Sequence, residues 1–248
     1  MMYSDVAIVI PSRIGSSRLK RKALAKIGNK TLIEHVLASV KLVMQENIYV
    51  ATDSEEIAKL VQNAGAIAIM TSPDCPTGSD RVFQALKKIP QAKQLKYVIN
   101  VQGDTPFIKP DVIEHIITRL KDNDCDIVTP VVKVDQVVAN NPSNVKVVVD
   151  INWKAMYFSR SLIPHGGHEF LYHLGIYGFH VEALEKFVQL DHSNYEKCEQ
   201  LEQLRALDHG MEIGVCMVDE IPISVDTASD LQKAIEYYHS NVTVQQLT

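Results

Sequence analysis

The 248 residues carry 46% apolar side chains, 22% charged ones and a formal charge of −5, which is enough apolar content for one large domain, or a domain with a smaller lobe. This balance excludes a disordered chain and a general attraction to nucleic acid or anionic membrane, so any anion must be gathered by a local cluster of charge. No stretch has the length of a membrane span, no signal-peptide pattern opens the chain, and the cysteines at 75, 125, 198 and 216 form neither CxxC pairs nor a framework, so a cytoplasmic protein with reduced thiols is expected.

In chain order, Val6 to Ile10 is an apolar, β-branched run of the kind that forms a central parallel strand buried on both faces. It stops at Pro11 and opens into a loop. Ser12, Gly15, Ser16 and Ser17 let backbone approach an anion closely, while Arg13, Arg18, Lys20, Arg21 and Lys22 concentrate positive charge. A solvated basic turn would have the same composition; the position after a buried strand favours a polyphosphate site, because open α/β sheets bind ligands beyond the carboxyl ends of their strands.

Thr31 and Glu34 then form a capping box for a helix with Leu32, Ile33, Val36, Leu37 and Val40 on one face. Strands are predicted at 48–51, 66–70 and 97–101. Asp53 with Glu56 repeats the capping signal before Ile57, Leu60 and Val61, a further helix starts near Ser79, and Pro110 can open another. After Asp126 the alternation breaks. Segments 127–132, 145–150, 155–159 and 171–177 are strand-like without full helices between them, predicting an antiparallel lobe where a second substrate could sit. Helices near 181–190 and 199–209, a strand at 213–218, a helix from about Ala228 to Tyr238 and a loose tail complete an α/β chain.

Asn100-Val101-Gln102-Gly103-Asp104 closes a buried strand with a glycine and a carboxylate, which would put Asp104 on the ligand side of the sheet. Mg²⁺ uses one or two protein carboxylates and completes its octahedron with phosphate and water oxygens, and Asp226 is the second carboxylate such a site would need. Alone, Asp226 reads as a helix cap. No GxGxxG, P-loop, HExxH or GxSxG pattern occurs, and His165, His168 and His173 lack the cysteine or carboxylate companions of a zinc site.

Pro11-Ser12-Arg13, Ser16-Ser17-Arg18 with Lys22, Val50-Ala51-Thr52-Asp53, Thr77-Gly78-Ser79-Asp80-Arg81 and Asn100 to Asp104 resemble the motifs of the 3-deoxy-manno-octulosonate cytidylyltransferase family. So, in the same order, do Asn141-Pro142 with Val145 to Val148, Tyr157 to Arg160, His173 to Gly178, Leu201 to Arg205 and Val225-Asp226-Thr227. The resemblance covers nearly all of residues 5 to 238. It implies a nucleotide-diphosphosugar transferase fold: a three-layer α/β sandwich with a mixed, mostly parallel sheet and a small antiparallel lobe. It also implies a single cytidylyltransferase domain over 1–248, with a sugar-binding and dimerisation lobe around 127–210.

By the same resemblance Pro11, Ser12, Arg13, Arg18 and Lys22 would hold the CTP phosphates. Thr71, Ser79, Arg81 and Gln102 would surround the cytidine, Asp104 and Asp226 would hold Mg²⁺, and Arg160, His173, Tyr177 and Gln203 would face the sugar acid. Arg18, Lys22, Asp104 and Asp226 would carry catalysis, in a cytoplasmic homodimer that makes CMP-sugar for lipopolysaccharide synthesis. Relatives usually have Pro-Gly where this chain has Lys20-Arg21, which leaves the rigidity of the loop open. Another CMP-sugar synthetase, or a silent nucleotide-binding protein on the same fold, are the rival readings.

Overall fold

The structure, a computed structural model, describes residues 3–16 and 18–246, with side chains to residue 240. Ser17, assigned above to the anion loop, lies outside the described residues. The chain divides into two compact units: residues 1–93, 100–110 and 222–248 form the first, and residues 94–99 and 111–221 the second.

In the first unit, β1 (Val6–Ser12) is fully buried from Val6 to Ile10, as its β-branched composition requires. After the basic loop come β2 (Lys26–Ile27) and β3 (Lys30–Thr31), a two-stranded antiparallel hairpin the sequence reading missed. Its turn places Gly28 at φ 59°, where glycine is free of the Cβ penalty. Helix α1 (Leu32–Val40) starts on the expected Thr31–Glu34 capping box. Strands β4 (Ile48–Thr52) and β5 (Ile67–Met70) add parallel to β1 in the order β5-β4-β1, joined through α2 (Glu55–Asn63). α3 (Gly78–Leu86) follows and opens on a Thr77–Asp80 capping box.

The cap of α2 is not Asp53, as the spacing predicted, but Ser54, whose hydroxyl accepts the Ile57 N–H at 3.4 Å. Asp53 sits one residue too early and its carboxylate is used elsewhere. The C-terminal helix runs from Ala228 to Gln246, beyond the end expected at Tyr238. Thr227 and Asp230 cap it reciprocally, at 3.2 and 3.0 Å, which relieves Asp226 of the capping role its position suggested. Val225, Leu32, Ile27 and Ala234 form a buried cluster with Phe107, Leu231 and Ile235 packed on it, and each of the fully buried Val225, Leu32 and Ile27 side chains is worth roughly 1.5–3 kcal/mol. That cluster fixes the backbone just before Asp226.

β6 (Tyr97–Asn100) and α4 (Pro110–Lys121), which begins on its proline as expected, belong to the second unit except for Asn100 and Pro110. β7 (Ile127–Val134) is the organising strand. It is followed by the short α5 (Gln136–Ala139), β8 (Lys146–Val149) and β9 (Ala155–Ser159). The stretch read as one strand over 171–177 is two, β10 (Phe170–His173) and β11 (Tyr177–His180). Both pair antiparallel with β7, and Thr129 Oγ1 donates to the carbonyls of Leu174 and Ile176, at 3.0 and 2.9 Å, in the break between them. α6 (Val181–Gln189) matches its pattern. The helix expected over 199–209 is instead α7 (Asn194–Glu199) and α8 (Gln203–Asp208), separated at Gln200, which is left-handed at φ 54°. β12 (Ile213–Met217) returns parallel to β7. The antiparallel section expected after Asp126 is thus present, as β7 to β11.

Candidate active site

Site construction in the first unit starts at the C-terminal ends of its parallel strands. β1 ends at Ser12, and the loop that follows bends over a cavity of about 380 Å³, within the size range of small-molecule sites. Pro11, Ser12, Arg13, Arg18 and Lys22 line it on the loop side, and Gln102 and Asp104 on another. The backbone before Asp104 must come close to β1: a Cβ on Gly103 would lie 2.8 Å from the Pro11 carbonyl oxygen, so glycine is required there. Asp226 completes the wall. The Val225 N–H donates to the Asp104 carbonyl at 2.9 Å, and this backbone bond brings together two carboxylates that are remote in sequence.

Between them lies Lys22. Its Nζ donates to Asp104 Oδ2 at 2.7 Å and to Asp226 Oδ1 at 2.9 Å. Burial pulls the Lys22 amine down, but the two carboxylates outweigh it and hold its pKa above the ordinary lysine value. Arg18 reaches the same Asp226 oxygen at 3.3 Å from a side chain 66% exposed. The donor set therefore fits a hard divalent cation: two carboxylate oxygens already converge on one positive charge, and phosphate and water oxygens could supply the rest of an octahedron. Among the described residues no group of three or more His, Cys, Asp or Glu side chains suited to a metal occurs, so the pair would depend on ligand oxygens.

Arg81, from the fourth position after the cap of α3, lines the far side of the cavity although its side chain is only 3% exposed. Nη1 donates to Thr71 Oγ1 at 2.7 Å and to the Ser72 carbonyl at 3.1 Å. Thr71 and Ser79, read from the sequence as cytidine neighbours, are buried and do not belong to the cavity wall. Thr71 acts on Arg81 from behind. Thr77 and Gly78, at the start of α3, do line the cavity, where a helix N-terminus offers unpaired N–H groups. The sequence reading gave them no role, although the Thr77–Asp80 spacing carried the capping signal.

Arg21 explains the Lys20-Arg21 departure. It adopts a left-handed conformation, φ 55° and ψ 35°, where a glycine would be unstrained. Its guanidinium pairs with Glu56 at the surface. Neither Lys20 nor Arg21 lines the cavity.

In the second unit three of the four residues assigned to the sugar come together. The Tyr177 hydroxyl donates to Gln203 Oε1 at 3.0 Å, and the His173 and Tyr177 rings lie 5.5 Å apart. All three are buried, and His173 Nε2 and Gln203 Nε2 have no hydrogen-bond partner among the described residues. Burial drives the His173 pKa down to about 3 and, with Glu202, raises that of Tyr177 well above the usual tyrosine value, so both are neutral. Arg160 is held apart from this cluster's hydrogen bonds: its guanidinium donates to the carbonyls of Glu199, Pro142 and Gln200 at 2.7, 3.2 and 3.4 Å. Two of its five N–H groups make no hydrogen bond among the described residues.

The cytidylyltransferase family model matches residues 7–213. Proteins named 3-deoxy-manno-octulosonate cytidylyltransferase from Rickettsia felis and Rickettsia bellii are 54% and 52% identical, over 97% and 98% of this chain and 98% and 100% of theirs. The chain belongs to the 3-deoxy-manno-octulosonate cytidylyltransferase family. Among solved structures, a CMP:2-keto-3-deoxy-manno-octonic acid synthetase complexed with CTP superposes on this cytidylyltransferase with a TM-score of 0.91 at 35% identity, covering 96% of this chain and all of that one. A cytidylyltransferase from Leptospira borgpetersenii has a TM-score of 0.62 at 16% identity over 98% of this chain and 97% of its own. That second likeness shows the α/β nucleotidyltransferase fold alone.

Proposed function

We propose that the protein transfers CMP from CTP to the anomeric hydroxyl of 3-deoxy-D-manno-octulosonate, releasing pyrophosphate. The observation that carries this reading is one cavity in which a basic loop after a buried strand meets two converging carboxylates. Sequence relatives over nearly the full chain bear the name of this activity, and the CTP complex of a structural relative supports the nucleotide.

In the reaction the hydroxyl oxygen forms a bond to the α-phosphorus as the bond from that phosphorus to the β-phosphate oxygen breaks. The hydroxyl proton is lost and pyrophosphate departs. No covalent enzyme intermediate is needed, so the protein's task is to position the groups and stabilise charge. Arg13, Arg18 and Lys22 would hold phosphate oxygens, and Arg81 and Gln102 the cytidine end. Asp104 and Asp226 would hold Mg²⁺, which when bound supplies positive charge to the phosphoryl oxygens and makes a coordinated hydroxyl more acidic. Arg160 would grip the sugar carboxylate, with His173, Tyr177 and Gln203 hydrogen-bonding its hydroxyls as neutral groups.

The same reading makes the protein a cytoplasmic homodimer that activates the sugar for lipopolysaccharide synthesis. The test is pyrophosphate release from CTP with 3-deoxy-D-manno-octulosonate or with a sialic acid as acceptor. Release with the octulosonate alone is expected. Release with the sialic acid alone would make this a different CMP-sugar synthetase, and none with either would leave a nucleotide-binding protein.

A further inference from the structure

Asp53 lies just past the C-terminal end of β4, beside the exit of β1, with which β4 pairs as far as Ser12 and Thr52. Its carboxylate is 8% exposed and is not part of the cavity wall. One oxygen, Oδ1, accepts the backbone N–H of Ile14 at 2.9 Å, inside the basic loop. The other, Oδ2, faces Arg81 Nη2 at 3.7 Å. That nitrogen is buried and has no hydrogen bond among the described residues, so the Asp53 charge is what faces its positive charge. A carboxylate this buried is costly unless it is paired, and these two partners satisfy it. Since Ser54 caps α2, Asp53 is not needed to start that helix.

We propose that Asp53 is a positioning residue that ties the phosphate loop to Arg81, so that one carboxylate holds the triphosphate end and the base end of the nucleotide site in register. The inference rests on the reading above, in which the loop holds phosphates and Arg81 the cytidine. Asparagine at 53 would keep an acceptor for the Ile14 N–H but bring no charge to Arg81, whereas alanine would remove both.

Each half of the site has its own probe: inorganic pyrophosphate for the loop and cytidine for the base pocket, each titrated by calorimetry into the full chain. Asp53→Asn is expected to keep pyrophosphate affinity within about twofold while weakening cytidine about fivefold to tenfold, in line with the loss of one charged contact. Asp53→Ala should weaken both. In turnover, Asp53→Asn should raise the KM for CTP by a similar factor while kcat and the KM for the sugar acid stay within twofold, a split that a general loosening of the fold would not produce. Wild-type cytidine affinity in a folded Asp53→Asn protein would overturn the proposal. So would equal loss of both probes in that variant. If the Asp53→Ala chain fails to fold, the Asp53→Asn data decide alone. A wild-type chain that binds neither probe nor CTP would overturn the underlying reading as well, which sets that failure apart from the failure of the Asp53 assignment.

Discussion

Lys22 lies between the two carboxylates proposed to hold the cation, and this has a measurable consequence for metal binding in the absence of nucleotide. Its amine is held by Asp104 and Asp226 at 2.7 and 2.9 Å, so a divalent cation entering alone must break both contacts. A charge-assisted hydrogen bond contributes about 1.5–3 kcal/mol. With the two carboxylate side chains 24% and 37% exposed, screening brings each down to about 1 kcal/mol. Removing the amine should therefore favour cation binding by about 2 kcal/mol, or roughly 30-fold. The assay is Mn²⁺ binding to nucleotide-free protein by electron paramagnetic resonance or calorimetry, comparing wild type with Lys22→Met. Arg18→Met is the control for a plain change in charge: Arg18 meets Asp226 at 3.3 Å from an exposed position and should alter Mn²⁺ affinity less than about threefold. With CTP present the Lys22→Met advantage should shrink, since the triphosphate gives the wild-type amine another partner. Equal Mn²⁺ affinities for wild type and Lys22→Met, or equal gains in Lys22→Met and Arg18→Met, would refute the reasoning.

Asp104→Asn and Asp226→Asn should each remove most turnover and also most Mn²⁺ binding while leaving thermal unfolding near wild type; retention of metal binding in both would sink the metal assignment. Arg160→Lys loses the planar fork and the bond to the Glu199 carbonyl, so the KM for the sugar acid should rise about tenfold or more at unchanged CTP affinity; equal damage to CTP binding would place Arg160 with the nucleotide. His173 is neutral in the folded state down to about 3, whereas an unfolded histidine takes up its proton near 6.5, so the unfolded state binds more protons in that window. The stability this contributes is fully present above 6.5 and is lost as pH falls through about 3, at up to about 1.4 kcal/mol per pH unit; urea unfolding of His173→Asn across this range should show a shallower pH slope, and an unchanged slope would count against a buried neutral imidazole. Arg21→Gly exchanges a left-handed arginine and an exposed ion pair for a flexible glycine, terms of about 1 kcal/mol each with opposing signs, so stability should stay within about 1 kcal/mol and CTP affinity unchanged; a large loss of CTP affinity would mean that Arg21 touches the nucleotide.

The sequence by itself determined features that depend on near neighbours along the chain. The apolar run from Val6 to Ile10 had the length and β-branched content of a strand buried on both faces, Thr31 and Glu34 could satisfy one another across a single turn, and Pro110 could open a helix; all three stand in the structure. Gly103 and Asp104 were likewise placed at the ligand end of a strand by local chemistry. Pairings between distant residues were beyond such reading. Asp53 and Asp226 each had the spacing of a cap, yet Ser54 and Thr227 take those roles, because which of two adjacent side chains reaches a helix N–H depends on backbone angles that composition does not encode. The strand expected over 171–177 breaks because Thr129, on a neighbouring strand, takes the carbonyls of Leu174 and Ile176. The helix expected at 199 is interrupted by the left-handed Gln200. Only the tertiary structure decided that Lys22 lies between two aspartates and that Asp53 serves both Ile14 and Arg81, since those meetings join residues remote in sequence, and their adjacency is set by how the strands, and the loops and helices that follow them, assemble.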